Sequence, residues 1–197
     1  MRRGSIALLA AVLMAACSPL RHQPGLLPQD ARVLPVPGLI QQQDRCGSNS
    51  LAMVLAYLEH PVDEPEIAAA IFQPSTKGTL NIDLALYARR EGLASRFFQG
   101  SSEQLRSELD SGNAPILMLR LSRPSFWLWR KLYDHHYVVA YGHSRSLNSF
   151  YVHAGNGPRV LKENQLERLW APAHHWMLVI ENSDPSSAVA QKHVGGP

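Results

Sequence analysis

QQQDRCGSNSLAMVLAYLEH, residues 41–60, decides how this chain reads. A polar run, Gln41-Gln42-Gln43-Asp44-Arg45, leads into Cys46-Gly47, and an apolar pattern follows at once. Leu51, Val54, Leu55 and Leu58 recur at three- and four-residue steps, the spacing that lines one face of a helix. Met53, Ala56 and Tyr57 widen that face, so the helix is expected to be buried on several sides. Ser48 and Asn49 stand where a first helical turn leaves its N–H groups without partners. Cys46 therefore lies at or just before a helix N-terminus, where the positive end of the helix dipole is expected to favour thiolate over thiol. The polar residues before the cysteine and Gly47 after it predict an exposed site. The opposing reading is a buried, inert thiol.

Upstream of this stretch, Met1 to Ala16 has the pattern of a bacterial export signal. Arg2 and Arg3 are followed by a short apolar run, Ile6 to Ala16, ending in small residues. That run is too short to span a bilayer as a mature helix. Leu13-Met14-Ala15-Ala16-Cys17 resembles a lipobox, which implies lipidation of Cys17 and anchoring to a membrane. Ser18 after that cysteine resembles the signal for outer-membrane sorting, so the expected location is the periplasm, on the outer membrane. Residues 17–35 read as a lipidated, proline-rich tether. Residues 36–181 read as one domain, and 182–197 as a disordered tail. Val33 to Val36 either pairs as an edge strand or lies across the domain.

Downstream, Asp63 with Pro65 starts a second helix, and Leu80 to Glu91 makes a third, closed by Gly92. Residues 94–98 read as a strand, and Ser101 with Gln104 caps a helix running to Asp110. Pro115–Leu121, His136–Gly142, Phe150–His153 and His175–Glu181 are further strands, with a short helix over Glu163–Trp170. Helices come first and strands gather later, which is α+β rather than alternating βαβ. The aromatic, basic stretch 123–133 (RPSFWLWRKLY) reads as a helix completing the core, or as a lid or membrane-dipping segment beside His136.

Composition bounds the function. The chain has 197 residues, 45% of them hydrophobic, which suits one domain with a proper core. Taking Arg2 and Arg3 away with the signal leaves 17 basic against 16 acidic residues, no electrostatic footprint for nucleic acid. The two cysteines, Cys17 and Cys46, are not read as a disulfide, because Cys17 has its explanation in the leader. The histidines show no HExxH spacing and no nearby carboxylate ligand, so no metal is expected.

Cys46 and the strand HYVVAYG at 136–142 together resemble the papain-like double-glycine peptidases, which trim leader peptides from bacteriocins. Their nucleophile follows a glutamine–spacer–Cys–Gly pattern at the head of the first helix. Gln41, five residues before Cys46, and Gly47, Leu51, Ala52 and Met53 fit it. The resemblance spans about 36–181 and is specific only at the Cys and His motifs. It implies a papain-like α+β fold with N-terminal helices packed on a mainly antiparallel sheet, a Cys–His mechanism without cofactor, and peptide or protein substrates. It implies Cys46 as nucleophile and Gln41 as the oxyanion donor, with Gln42 as its fallback. Strand alternation puts His135 and His136 on opposite faces, so only one can serve as base, and the family motif selects His136.

Relatives carry an Asp at the end of the next strand, where this chain has YVHAGNG with Ala154 in that slot. Asn156 either orients the imidazole or is part of a plain Asn-Gly turn. His153 is a weaker candidate for the same role. The missing Asp also supports a different class of function, a peptide-binding lipoprotein module that keeps the fold without cleaving. Acyl transfer to an amine is a third reading.

Overall fold

The computed structural model describes residues 27–40, 44–75, 77–123, 132–155 and 157–182. The leading strand β1 (Arg32–Val33) is followed by α1 (Cys46–Tyr57), α2 (Glu64–Ile71), a short hairpin of β2 (Phe72–Gln73) and β3 (Gly78–Thr79), and α3 (Asn81–Arg90). Then come β4 (Ala94–Gln99), α4 (Ser102–Asp110), β5 (Ile116–Arg123), β6 (Leu132–Ser144), β7 (Ser149–His153), β8 (Pro158–Lys162), α5 (Glu163–Trp170) and β9 (Trp176–Glu181). The α+β class expected from sequence holds. One antiparallel sheet runs in the order β4-β9-β5-β6-β7-β8, with β1 added beside β6.

The long apolar runs of β5, β6 and β9 are explained by burial on both faces of the sheet. One face carries Ile116, Tyr137, Val139, Tyr141 and Leu178, packed under α1, α2 and α3 through Leu51, Leu55, Ile67 and Leu84. The other carries Leu117, Leu119, Val138, Phe150 and Val152, covered by α4 and α5 through Leu105, Leu109, Leu166 and Trp170. Ser101 caps α4 as its sequence predicts, its hydroxyl accepting from the Gln104 N–H at 3.2 Å. β8 was not anticipated from sequence. It begins on Pro158, a residue that cannot donate to a ladder and so suits the first position of an edge strand.

The chain enters along β6. Asp30 accepts from the Ser146 N–H and from the Ser144 and Ser146 hydroxyls, which hold its carboxyl down at about 2. Arg32–Val33 then pairs with Gly142–His143, and the Leu34 N–H donates to the Tyr141 carbonyl at 2.7 Å. A side chain at Gly142 would collide with the Arg32 carbonyl oxygen, so only glycine lets β1 approach this closely. Residues 30–34, placed by sequence within the tether, are thus bonded to the sheet. Residues 1–26 and 183–197, with the export signal, Cys17 and the tail, lie outside the described residues, as do 124–131 of the aromatic stretch.

Candidate active site

β6 outruns its neighbour. The last β6–β7 pair is Val139 with His153, so the three residues before Val139 have no β7 partner. The Ala140 N–H donates to Pro115 on the β5 side. Since N–H directions alternate along a strand, the Tyr137 N–H points to the other side, into the fork that β7 has left. The Tyr137 N–H acts on the Cys46 sulfur and pulls the thiol pKa down. The N–H groups of Gly47 and of Cys46 itself also act on that sulfur.

α1 leaves those donors available because no side chain caps it. The residue before it, Arg45, makes no cap hydrogen bond. Ser48 and Asn49, expected near the free N–H groups, instead donate back to the Arg45 carbonyl, the Asn49 amide at 2.9 Å. Glu64 ties this turn to the head of α2, accepting from Arg45 at 3.2 Å and from the Ser48 hydroxyl. On the other flank, Thr79 packs on Gly47 so closely that an added Cβ would lie 2.8 Å from the Thr79 Cβ. Tyr137 locks the same corner, its hydroxyl donating toward the Thr79 carbonyl and the Asn81 side chain. Sequence pattern could not reveal Glu64 or Thr79, because both reach Cys46 only through the fold.

The thiol differs from expectation in one respect. Cys46 is half-buried, and burial pushes its pKa up, against the pull of the three N–H groups. Asp44 adds to the rise. The helix terminus was expected to lower it. Desolvation of the charged form outweighs the dipole here, so the resting species is the thiol.

Tyr137, whose N–H acts on the sulfur, is the next residue in the chain after His136. Alternation separates the two histidines as expected: His136 pairs with Leu119 and His135 with Arg120. His136 is half-buried and His135 exposed. Burial lowers the pKa of His136, so its resting form is the neutral ring. His136 stands on the Leu119 face of the sheet, next in the chain to Tyr137, whose side chain belongs to the α1 face on which Cys46 packs.

Gln41, its fallback Gln42, and Asn156 lie outside the described residues. The neighbours of both sites are placed. Gly38 rests on the ring of His153, and Ala154 and Gly155 continue from the end of β7 toward the fork. His153 turns to the α1 face and bonds the Val36 carbonyl at 3.2 Å rather than aligning with His136. Among the described residues, no three His, Cys, Asp or Glu side chains converge as a metal would need, and no helix is long and apolar enough to cross a membrane.

Comparison with known proteins agrees with this geometry. The model of the peptidase C39 family matches residues 38–184. No curated protein matches the chain. Among solved structures it is similar to a double glycine motif protease from an AMS/PCAT transporter, determined in complex with the leader peptide. Identity there is 20% over 77% of this chain and 94% of that one, with a TM-score of 0.60. It is also similar to a C39-like peptidase from Bacillus anthracis, at 16% identity over 78% and 98% of the two chains and a TM-score of 0.61. For the peptidase domain of Streptococcus ComA, a bi-functional ABC transporter of a quorum-sensing pathway, the values are 14%, 73%, 95% and 0.57.

Proposed function

The chain belongs to the peptidase C39 family and is a cysteine-type peptidase, and on that premise we propose that it is a lipid-anchored periplasmic enzyme cleaving peptides through Cys46 and His136. The observation that carries the reading is Cys46 as the first residue of α1, uncapped by any side chain, with the backbone N–H groups of Tyr137, Gly47 and Cys46 acting on its sulfur. The resting pair is a neutral thiol and a neutral imidazole, both held so by burial. When substrate enters, His136 takes the thiol proton as sulfur attacks the scissile carbonyl carbon. The carbonyl oxygen becomes the oxyanion, which the Cys46 N–H and the Gln41 side chain hold. The C–N bond breaks as His136 returns its proton to the leaving amine. Water then adds to the thioester with His136 as base, and the carboxylate product leaves with the thiol restored.

The peptide substrates carry small residues before the cut, as the double-glycine motif of a solved relative suggests. Cys17, lipidated, holds the enzyme on the outer membrane. The test compares periplasmic peptides from cells carrying the wild-type chain with those from Cys46→Ala, His136→Ala and His135→Ala cells. Cleavage products should vanish in the first two and persist in the third. Loss with His135→Ala alone would move the base to that residue. Cys17→Ser should release the protein from membranes without abolishing cleavage. One observation favours the binding-module reading, namely burial that raises the thiol pKa. It prevails if iodoacetamide labels Cys46 no faster than free cysteine at neutral pH, with or without added peptide.

A further inference from the structure

Resting on the reading of Cys46 as nucleophile and deepening it, we propose that Tyr137 is a positioning residue whose hydroxyl latches the wall behind the Cys46 turn. One residue of β6 then sets the nucleophile from two sides. The backbone N–H of Tyr137 acts on the Cys46 sulfur. Its side chain lies on the α1 face, 4% exposed, with the ring edge-on to Trp176 at 5.8 Å and 70°. The hydroxyl at the far end of that ring reaches the junction of β3 and α3. There it donates toward the Thr79 carbonyl at 3.1 Å and the Asn81 side-chain oxygen. Burial lifts the phenol well above its usual pKa, so the hydroxyl keeps its proton and stays a donor at neutral pH.

The hydroxyl holds a part of the fold that the main sheet does not. β3 pairs with β2 in a two-stranded sheet of their own. Thr79 of β3 is nevertheless the surface against which Gly47 is pressed, with no room for a Cβ between them. Gly47 and Cys46 supply two of the three N–H groups acting on the sulfur, and Tyr137 supplies the third. Those groups pull the thiol pKa down against burial, and a hydrogen bond weakens steeply as it lengthens or bends. Releasing β3 lets the turn drift from the sulfur, and the balance tips further toward the protonated thiol. The carboxylates acting on this pair, Asp44 on the sulfur and Asp83 on the phenol, are not partners of the hydroxyl's two bonds. Movement of the thiol pKa on loss of the hydroxyl therefore reports the N–H groups.

The test is the pH–rate profile of iodoacetamide alkylation in the full chain, read on the Cys46 peptide by mass spectrometry. Tyr137→Phe keeps the ring on Trp176 and removes the donor. Its Cys46 should alkylate roughly fivefold more slowly at pH 7, with the midpoint of the profile moved up. Introducing 4-aminophenylalanine at position 137, which restores an N–H donor in the same place, should bring the midpoint back toward wild type. Asn81→Ala removes one of the two acceptors and should move the midpoint the same way by less. Combined with Tyr137→Phe it should add nothing. A midpoint unmoved in Tyr137→Phe overturns the inference whatever happens to Tm, since a merely structural hydroxyl would change stability and leave the thiol pKa in place. So does a failure of 4-aminophenylalanine to recover it, or an Asn81→Ala shift that adds in full to that of Tyr137→Phe. If periplasmic cleavage products persist in Cys46→Ala cells, the nucleophile reading falls and the inference with it. Products lost in Cys46→Ala beside an unmoved midpoint in Tyr137→Phe strike the inference alone.

Discussion

Replacing Gly47 with alanine tests the packing that sets Cys46, the proposed nucleophile. The new Cβ would sit 2.8 Å from the Thr79 Cβ and 2.9 Å from its Oγ1. Ordinary carbon contacts begin near 3.5 Å, so β3 and the first turn of α1 must part by roughly 0.7 Å. Thr79 is short and β-branched and has no flexible end to swing away. Overpacking of this kind costs about 1–3 kcal/mol. Alanine returns up to about 1 kcal/mol through helix propensity. The net expectation is a loss of about 1–2 kcal/mol, a fall in Tm of roughly 2–8 °C for a domain of this size.

The effect on chemistry should be larger, because the displaced turn supplies two of the three N–H groups facing the sulfur. A shift of that size should lower kcat/KM at least about tenfold. Thermal unfolding and peptide cleavage measure the two effects. Adding Thr79→Gly removes the colliding carbon, so the double variant should regain activity to within about twofold of Thr79→Gly alone. A Gly47→Ala protein with wild-type stability and activity would refute the packing argument, as would a double variant no better than Gly47→Ala.

Three further outcomes follow from the charged and titratable groups of the fold. Asp44→Asn removes the carboxylate that helps raise the Cys46 pKa, so iodoacetamide labelling at pH 7 should speed up and its pH midpoint move down. His136 and His153 both have pKa values lowered by burial, so the unfolded chain binds protons that the folded one refuses. Stability should therefore fall as pH drops below the ordinary histidine value of about 6.5, and urea unfolding between pH 7 and 5 should show less of that fall in His153→Phe. Arg106 is 8% exposed, donates to Glu163 at 2.8 Å and Asn148 at 2.9 Å, and lies over the Phe150 ring. Arg106→Ala should cost about 2–3 kcal/mol by chemical denaturation, less than a fully buried pair because Glu163 is partly solvated. Lysine should not rescue it, since it lacks the planar fork.

Much of this architecture is legible in local pattern. The 3.6-residue spacing from Leu51 to Leu58, the Ser101 cap and the apolar runs at 116–121 and 136–142 each state their element without help from the rest of the chain. What failed locally failed for a physical reason. β8 is a short edge strand whose pairing with β7 has no signature of its own. The thiol pKa departs from expectation because a helix terminus is visible in sequence, whereas the burial opposing it arises only when the chain packs.

The sequence by itself determined the class of fold and put Cys46-Gly47 at the head of the first helix, because periodicity and a Cys-Gly at a helix head are written within a few turns of chain. Only the tertiary structure decided why residue 47 must be glycine, why the thiol rests protonated, and what the Tyr137 hydroxyl holds. Each of those depends on where one strand ends beside another, and the lengths of paired strands are settled by packing across the whole sheet rather than by the residues next to the sulfur.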